Sequence, residues 1–233
     1  MNAPCVIALC ALALTACGTV SDAQSVDALS SMQKLQAQGQ FEQIANQSVP
    51  GACASQPGTE ACAKIYAIHA HACLVSATGN PPSHAPCPGR NDPKARWIDC
   101  AVDDYRKAKG ATNDPVELSN IAGNQAHALY CSAEFRQFDG KDSEANALAS
   151  EAIAAVASVP TTAQNARIAT SAELMIAQLQ QLSSSQRCQA ARNAASWATR
   201  GLAVTPSDPG ATGSMNASLN LARDAAKNIC GGP

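Results

Sequence analysis

The chain has 233 residues, with 16 basic and 18 acidic side chains and a formal net charge of −2. That balance gives no electrostatic draw toward nucleic acid or an anionic membrane surface, so neither is an expected partner. Aromatic residues make up only 3% while alanine is abundant, which argues against a large β-sandwich and suits closely packed helices.

Residues 1–16 (MNAPCVIALCALALTA) carry no charged side chain and are apolar almost without a break from Val6 to Leu14. The run is shorter than the about 20 residues a membrane-spanning helix needs and has the length of the apolar region of an export signal. It ends in Leu14-Thr15-Ala16-Cys17-Gly18, which resembles the lipobox of bacterial lipoproteins: an aliphatic residue, two small ones, then cysteine. The resemblance implies cleavage before Cys17, a diacylglyceryl thioether on its sulfur and a further acyl chain, such as palmitate, on the freed amine. Several chains make such an anchor stable, whereas one binds only marginally. Gly18 stands where the enterobacterial pattern has Asp in lipoproteins kept at the inner membrane, so the resemblance implies the outer membrane and its periplasmic face. The domain reading is a signal over 1–16, a tether over 17–25 and a single helical domain over 26–233, with a proline-rich loop at 79–93. No later apolar stretch reaches transmembrane length, so the lipid is the expected anchor.

Of 11 cysteines, Cys5 and Cys10 leave with the signal and Cys17 takes the lipid. The remaining eight are Cys53, Cys62, Cys73, Cys87, Cys100, Cys131, Cys188 and Cys230. An even number in an exported chain predicts disulfides. No C-x-x-C pair and no zinc-finger spacing of Cys and His occurs, so no metal site and no cofactor are expected.

Helical patterning begins near Val26, with Leu29, Met32 and Leu35 following by threes. Gly39 interrupts it, and Phe41 to Asn46 reads as a short second helix. Ser48 to Gly58 reads as a loop. Thr59 is a good N-cap for a helix over Glu60–Val75, which gives way to a Pro/Gly-rich stretch containing His84. Further helices are expected at about Pro93–Lys109, Pro115–Phe135, Ser143–Ser158, Thr162–Leu182, Gln186–Val204 and Ala211–Ile229. The fold class is therefore all-α, an array of antiparallel helical hairpins joined by short loops, with a non-repetitive helical bundle as the alternative.

Ala101-x3-Tyr105-x2-Ala108 has the small–aromatic–small pattern of the second helix of a tetratricopeptide repeat, and the array resembles that family. Leu148, Ala152 and Ala155 form a looser copy, and Ala194, Ala198 and Gly201 another, running into Pro206. Gly39-Gln40-Phe41-Glu42 resembles the turn inside a repeat, and Ala122-Gly123 falls where that family often has Leu-Gly. Ala108, Ala155 and Gly201 recur at intervals of 47 and 46 residues, longer than the tetratricopeptide period of about 34, so the hairpins are elongated. In such hairpins, residues equidistant from a turn face each other. This favours Cys188–Cys230 first and Cys100–Cys131 second, with Cys53–Cys62 and Cys73–Cys87 completing the set by locality.

No catalytic constellation is evident. His69 and His71 are two apart, hence about 200° apart around a helix, and cannot share a metal. His84 and His127 are isolated, and all four read as surface or partly packed. Asp103-Asp104 reads as a solvated helix face, and Glu117, Glu134, Glu144, Glu151 and Glu173 are scattered. Trp97 and Trp197 read as fillers between helices. No phosphate loop, G-x-S-x-G or H-E-x-x-H appears. The expected function is non-enzymatic: a lipid-anchored envelope protein whose repeats bind another envelope or secreted protein as an adaptor or assembly factor. A toxin-neutralising immunity lipoprotein is the alternative, and a periplasmic hydrolase a weaker one.

Overall fold

The computed structural model describes residues 24–55, 58–80, 86–205 and 208–231. The lipobox, Cys17, most of the tether, His84 and Pro206 lie outside them. The described residues form ten α-helices and no strand, the all-α array expected from composition. In chain order these are α1 (24–37), α2 (Phe41–Ala45), α3 (Gly51–Ser55), α4 (Glu60–Thr78), α5 (Arg96–Ala111), α6 (Pro115–Phe138), α7 (Asp142–Ala157), α8 (Ala163–Gln178), α9 (Ser184–Ala203) and α10 (Pro209–Cys230). No helix among the described residues is long and apolar enough to cross a membrane.

Local chemistry sets the boundaries. The Thr59 side chain accepts from the Cys62 amide, Thr162 from Asn165, and Ser183 closes a full capping box with Gln186. Each occupies amides that the first helical turn leaves unpaired. Asp114 and Asp208 cap α6 and α10, and each is followed by a proline at the first helical position, where its missing N–H is no loss. Pro209-Gly210 therefore starts α10. Gly140 ends the turn after α6 at φ 73°, a backbone conformation that disfavours residues with a Cβ.

Three local expectations are corrected. The segment read as a loop over 48–58 holds α3, a single turn whose Cys53 is tied to Cys62. α8 stops at Gln178, because Leu179 turns to extended backbone. Val26 faces solvent while Met32 is buried, so only part of the by-threes pattern of α1 is core.

The helices pair as the repeat pattern implies. α4 packs mainly on α5, α6 on α7 and α8 on α9, and α10 closes against α9. Successive pairs stack through α5 on α6 and α7 on α8. The second helices α5, α7 and α9 carry the small positions, and Ala101, Ala108, Ala152, Ala155, Ala194 and Ala198 are all buried. Gly201 shows why size matters there: a Cβ on it would lie 2.9 Å from Ala166 Cβ and 2.5 Å from Met215 Cε. Bulky side chains such as Ile65, Leu74, Ile98 and Leu129 fill the space between pairs, each contributing about 1.5–3 kcal/mol of burial.

All eight described cysteines are paired: Cys53–Cys62, Cys73–Cys100, Cys87–Cys131 and Cys188–Cys230. The first and last are the expected pairs, whereas Cys100–Cys131 and Cys73–Cys87 are replaced. Hairpin symmetry about the turn after α5 points Cys100 toward α6, but the principal neighbour of α5 is α4. Cys100 therefore meets Cys73 on α4, and Cys87 crosses from the proline-rich connector to Cys131 on α6.

Candidate functional site

A cleft of about 380 Å³ lies where α1, α4 and α6 face each other over Tyr105 of α5. Its polar lining includes four side-chain amides: Gln33 and Gln36 from α1, and Asn120 and Asn124 from α6. The spacings are three and four residues, which places each pair on one face of its helix. A second cleft, of about 300 Å³, shares Asn120 and Asn124 and continues to Gln164 and Asn165 at the start of α8. The two form one amide-lined groove across first helices. Ala67, Ile68 and Ile121 give it an apolar strip, and Lys64 and Glu117 also line it.

Two polar atoms in this groove, Tyr105 Oη and Gln164 Nε2, are buried and make no hydrogen bond of good geometry among the described residues, Asn124 being the polar neighbour of the phenol. Tyr105 faces Asn124, and burial pushes its phenol well above the ordinary range, so it stays neutral. His71 also lines the groove, edge-on to the Phe41 ring at 5.6 Å. Burial lowers the His71 imidazole below its usual range, so it is neutral at pH 7. Gly123 lets α6 approach α8 here, since a Cβ would come 2.8 Å from Asn165 Oδ1. Side-chain amides that both donate and accept, beside an apolar strip and one residue of each charge sign, match the repeating N–H and C=O of an extended polypeptide.

His69 points away from His71, as their spacing requires, and is buried. Its Nδ1 lies 2.6 Å from Asp104 Oδ2, and its Nε2 donates to the Gln47 carbonyl at 2.9 Å. Lys107 donates to the other Asp104 oxygen at 2.8 Å. Asp104 is thus buried and doubly paired, not the solvated face that the Asp103-Asp104 run suggested. Burial alone would raise its pKa, but the hydrogen bonds from His69 and Lys107 outweigh it and hold the carboxyl below the usual range. The same histidine lies beside the Cys73–Cys100 disulfide, and His127, also buried, beside Cys87–Cys131. Neither Cys/His cluster was expected from zinc-finger spacing. The signal that could have found them is the four-residue spacing within His69–Cys73 and His127–Cys131.

A third cleft, of about 370 Å³, opens beside Cys87 and His127. There Tyr130 Oη donates to Glu134 at 2.5 Å, and burial raises the Glu134 carboxyl. Glu173 is buried as well and accepts from Asn193 at 3.2 Å; burial pushes its pKa up to about 7. These two glutamates are therefore not simply scattered surface charges. Trp197 is buried, Trp97 partly so, and each carries a guanidinium over its ring, Arg200 at 3.6 Å and Arg96 at 4.6 Å.

No protein-family model matches the chain, and no curated protein matches it. Among solved structures it is similar to the yeast histone chaperone Hif1, described as a scaffold protein recruiting protein complexes to core histones. The TM-score is 0.49 at 12% identity, covering 91% of this chain and 97% of that one. A likeness at that level carries no functional argument.

Proposed function

We propose that this chain is a lipid-anchored envelope protein that binds and does not catalyse, holding an extended segment of another envelope or secreted protein in the amide-lined groove. The observation that carries the reading is the lining itself: Gln33, Gln36, Asn120, Asn124 and Gln164 around two buried polar atoms that lack a hydrogen bond of good geometry. An unsatisfied buried donor or acceptor costs about 1–3 kcal/mol, and a bound backbone would supply the partners and recover it. Four disulfides support export, because such bonds persist in oxidising compartments. The lipobox supports attachment through Cys17 in the outer membrane, facing the periplasm.

Two measurements test this. Tyr105→Phe removes the poorly paired hydroxyl, so it leaves the fold at least as stable, while capture of the partner by the anchored protein falls. A partner captured equally by wild type, Tyr105→Phe and Asn120→Ala/Asn124→Ala rules out the groove. Labelling with a radioactive fatty acid, compared between wild type and Cys17→Ser, tests the anchor. Equal labelling removes it.

A further inference from the structure

Two of the chain's four histidines lie against disulfides, although the histidines are few and the disulfides occupy little of the molecule. The same arrangement builds both. His69 and Cys73 are four apart on α4, His127 and Cys131 four apart on α6, so each pair projects from one face of its helix. A second cysteine arrives from another segment, Cys100 from α5 or Cys87 from the connector. In each cluster the sulfurs and a ring nitrogen all lie within 4.8 Å of one another. Among the described residues the outer disulfides have no such histidine; the Ser25 hydroxyl, instead, sits beside Cys53 and Cys62.

We propose that, once reduced, each cluster is a two-cysteine, one-histidine site for a thiolate-preferring divalent ion of the zinc type. Disulfide and bound metal are then alternative states of the same atoms. The first cluster carries the geometry furthest. Nδ1 of His69 is 3.8 Å from Cys100 Sγ and 4.0 Å from Cys73 Sγ. Bonds of about 2.3 Å to sulfur and about 2.0 Å to nitrogen in a tetrahedral site separate nitrogen from sulfur by roughly 3.5 Å and the two sulfurs by roughly 3.8 Å. The nitrogen–sulfur distances therefore need shift by only a few tenths of an ångström, while the sulfurs, bonded at about 2.0 Å in a disulfide, swing apart once reduction breaks that bond. The Nε2–H of His69 already donates to the Gln47 carbonyl, the outer contact that orients a metal-bound imidazole. Asp104 Oδ2, 2.6 Å from Nδ1, stands outside the three-ligand cluster, so a water supplies the fourth ligand. At the second cluster the cleft bearing Tyr130 and Glu134 opens beside the ligands, leaving room for a water as the fourth.

Reduction of each disulfide takes two electrons and two protons from a dithiol, which leaves as its own cyclic disulfide. Metal loading at the first cluster then releases the two thiol protons and the Nδ1 proton that His69 shares with Asp104. Both sulfurs remain bound to the ion as thiolates, with no further redox change.

The test uses the detergent-solubilised full chain, reduced anaerobically with dithiothreitol, freed of it and titrated with Zn2+ alone. Cysteines are then alkylated and the modified positions mapped by mass spectrometry. The expected result is two zinc ions per reduced chain, none at these clusters in the oxidised chain, and protection confined to Cys73, Cys87, Cys100 and Cys131. His69→Gln and His127→Gln each lose one equivalent. Since either variant can lose its fold, the protection map of the unaltered chain decides independently. Alkylation unchanged by zinc, or protection spread equally to Cys53, Cys62, Cys188 and Cys230, overturns the proposal.

Discussion

Gly201 on α9 lies so close to Met215 on α10 that a Cβ would stand 2.5 Å from Met215 Cε. The methionine end can swing aside, but Ala166 Cβ, at 2.9 Å, sits on the backbone of α8 and cannot. Overpacking of this kind costs about 1–3 kcal/mol, which outweighs the 0.5–1 kcal/mol or so that alanine gains over glycine in a helix. Gly201→Ala is therefore destabilising and Gly201→Val more so. Gly213 is on the exposed side of α10, where an added Cβ would meet nothing within 4 Å. It behaves oppositely, and Gly213→Ala stabilises by about 0.5–1 kcal/mol. Urea unfolding of the three variants reads the contrast directly.

Glu173 gives the stability a pH dependence of known sign. Burial raises its folded pKa to about 7 from the ordinary 4.5, so the folded state holds a proton that the unfolded state has released between those values. Its contribution is fully present below about pH 4.5 and is lost as pH rises through 7. The span corresponds to something on the order of 3 kcal/mol. Glu173→Gln keeps an acceptor for Asn193 and removes the charge. Thermal unfolding should show it matching wild type at pH 4.5 and exceeding it at pH 8.

Asp104 has the opposite sign. Hydrogen bonds from His69 and Lys107 outweigh burial and hold its carboxyl below the usual range, so the stability it contributes is present above about pH 4 and lost as pH falls through the depressed folded value. Asp104→Asn removes the carboxylate that pairs with Lys107 and lies against His69 Nδ1. Breaking a buried pair in this way costs about 3–5 kcal/mol, and the loss of cooperative unfolding amplitude at neutral pH measures it.

The disulfides should differ in their contributions. Cys188–Cys230 closes a separation of 42 residues and Cys53–Cys62 one of 9. Chain entropy assigns about 4 kcal/mol to the first and about 2.5 kcal/mol to the second. Paired alanine substitutions at each, compared in guanidinium unfolding, should rank in that order. A larger loss at Cys53–Cys62 would place the effect in native packing around α3.

Much of the fold is legible in the sequence, because its signals are local. Thr59, Asp114-Pro115 and Gly140 mark helix ends by capping chemistry, and Ala108, Ala155 and Gly201 mark the close approaches of second helices. Partner choice is not local. Cys100 could face either neighbour of α5, and only the tertiary pairing with α4 selects Cys73. The same holds for Asp104, whose burial depends on His69 from another helix. The groove was invisible for a related reason: Gln33, Asn120 and Gln164 are ordinary surface residues until three helices bring their amides together.

The central claim is that the groove grips an extended protein segment, and site-specific photo-crosslinking in intact cells tests it most directly. A photoreactive phenylalanine analogue placed at Asn120 or Gln36 in the groove is compared with one at Arg223, exposed on α10. A discrete adduct with one envelope or secreted protein is expected from both groove positions and none from Arg223. Adducts absent from the groove, or equally strong from Arg223, would contradict the claim.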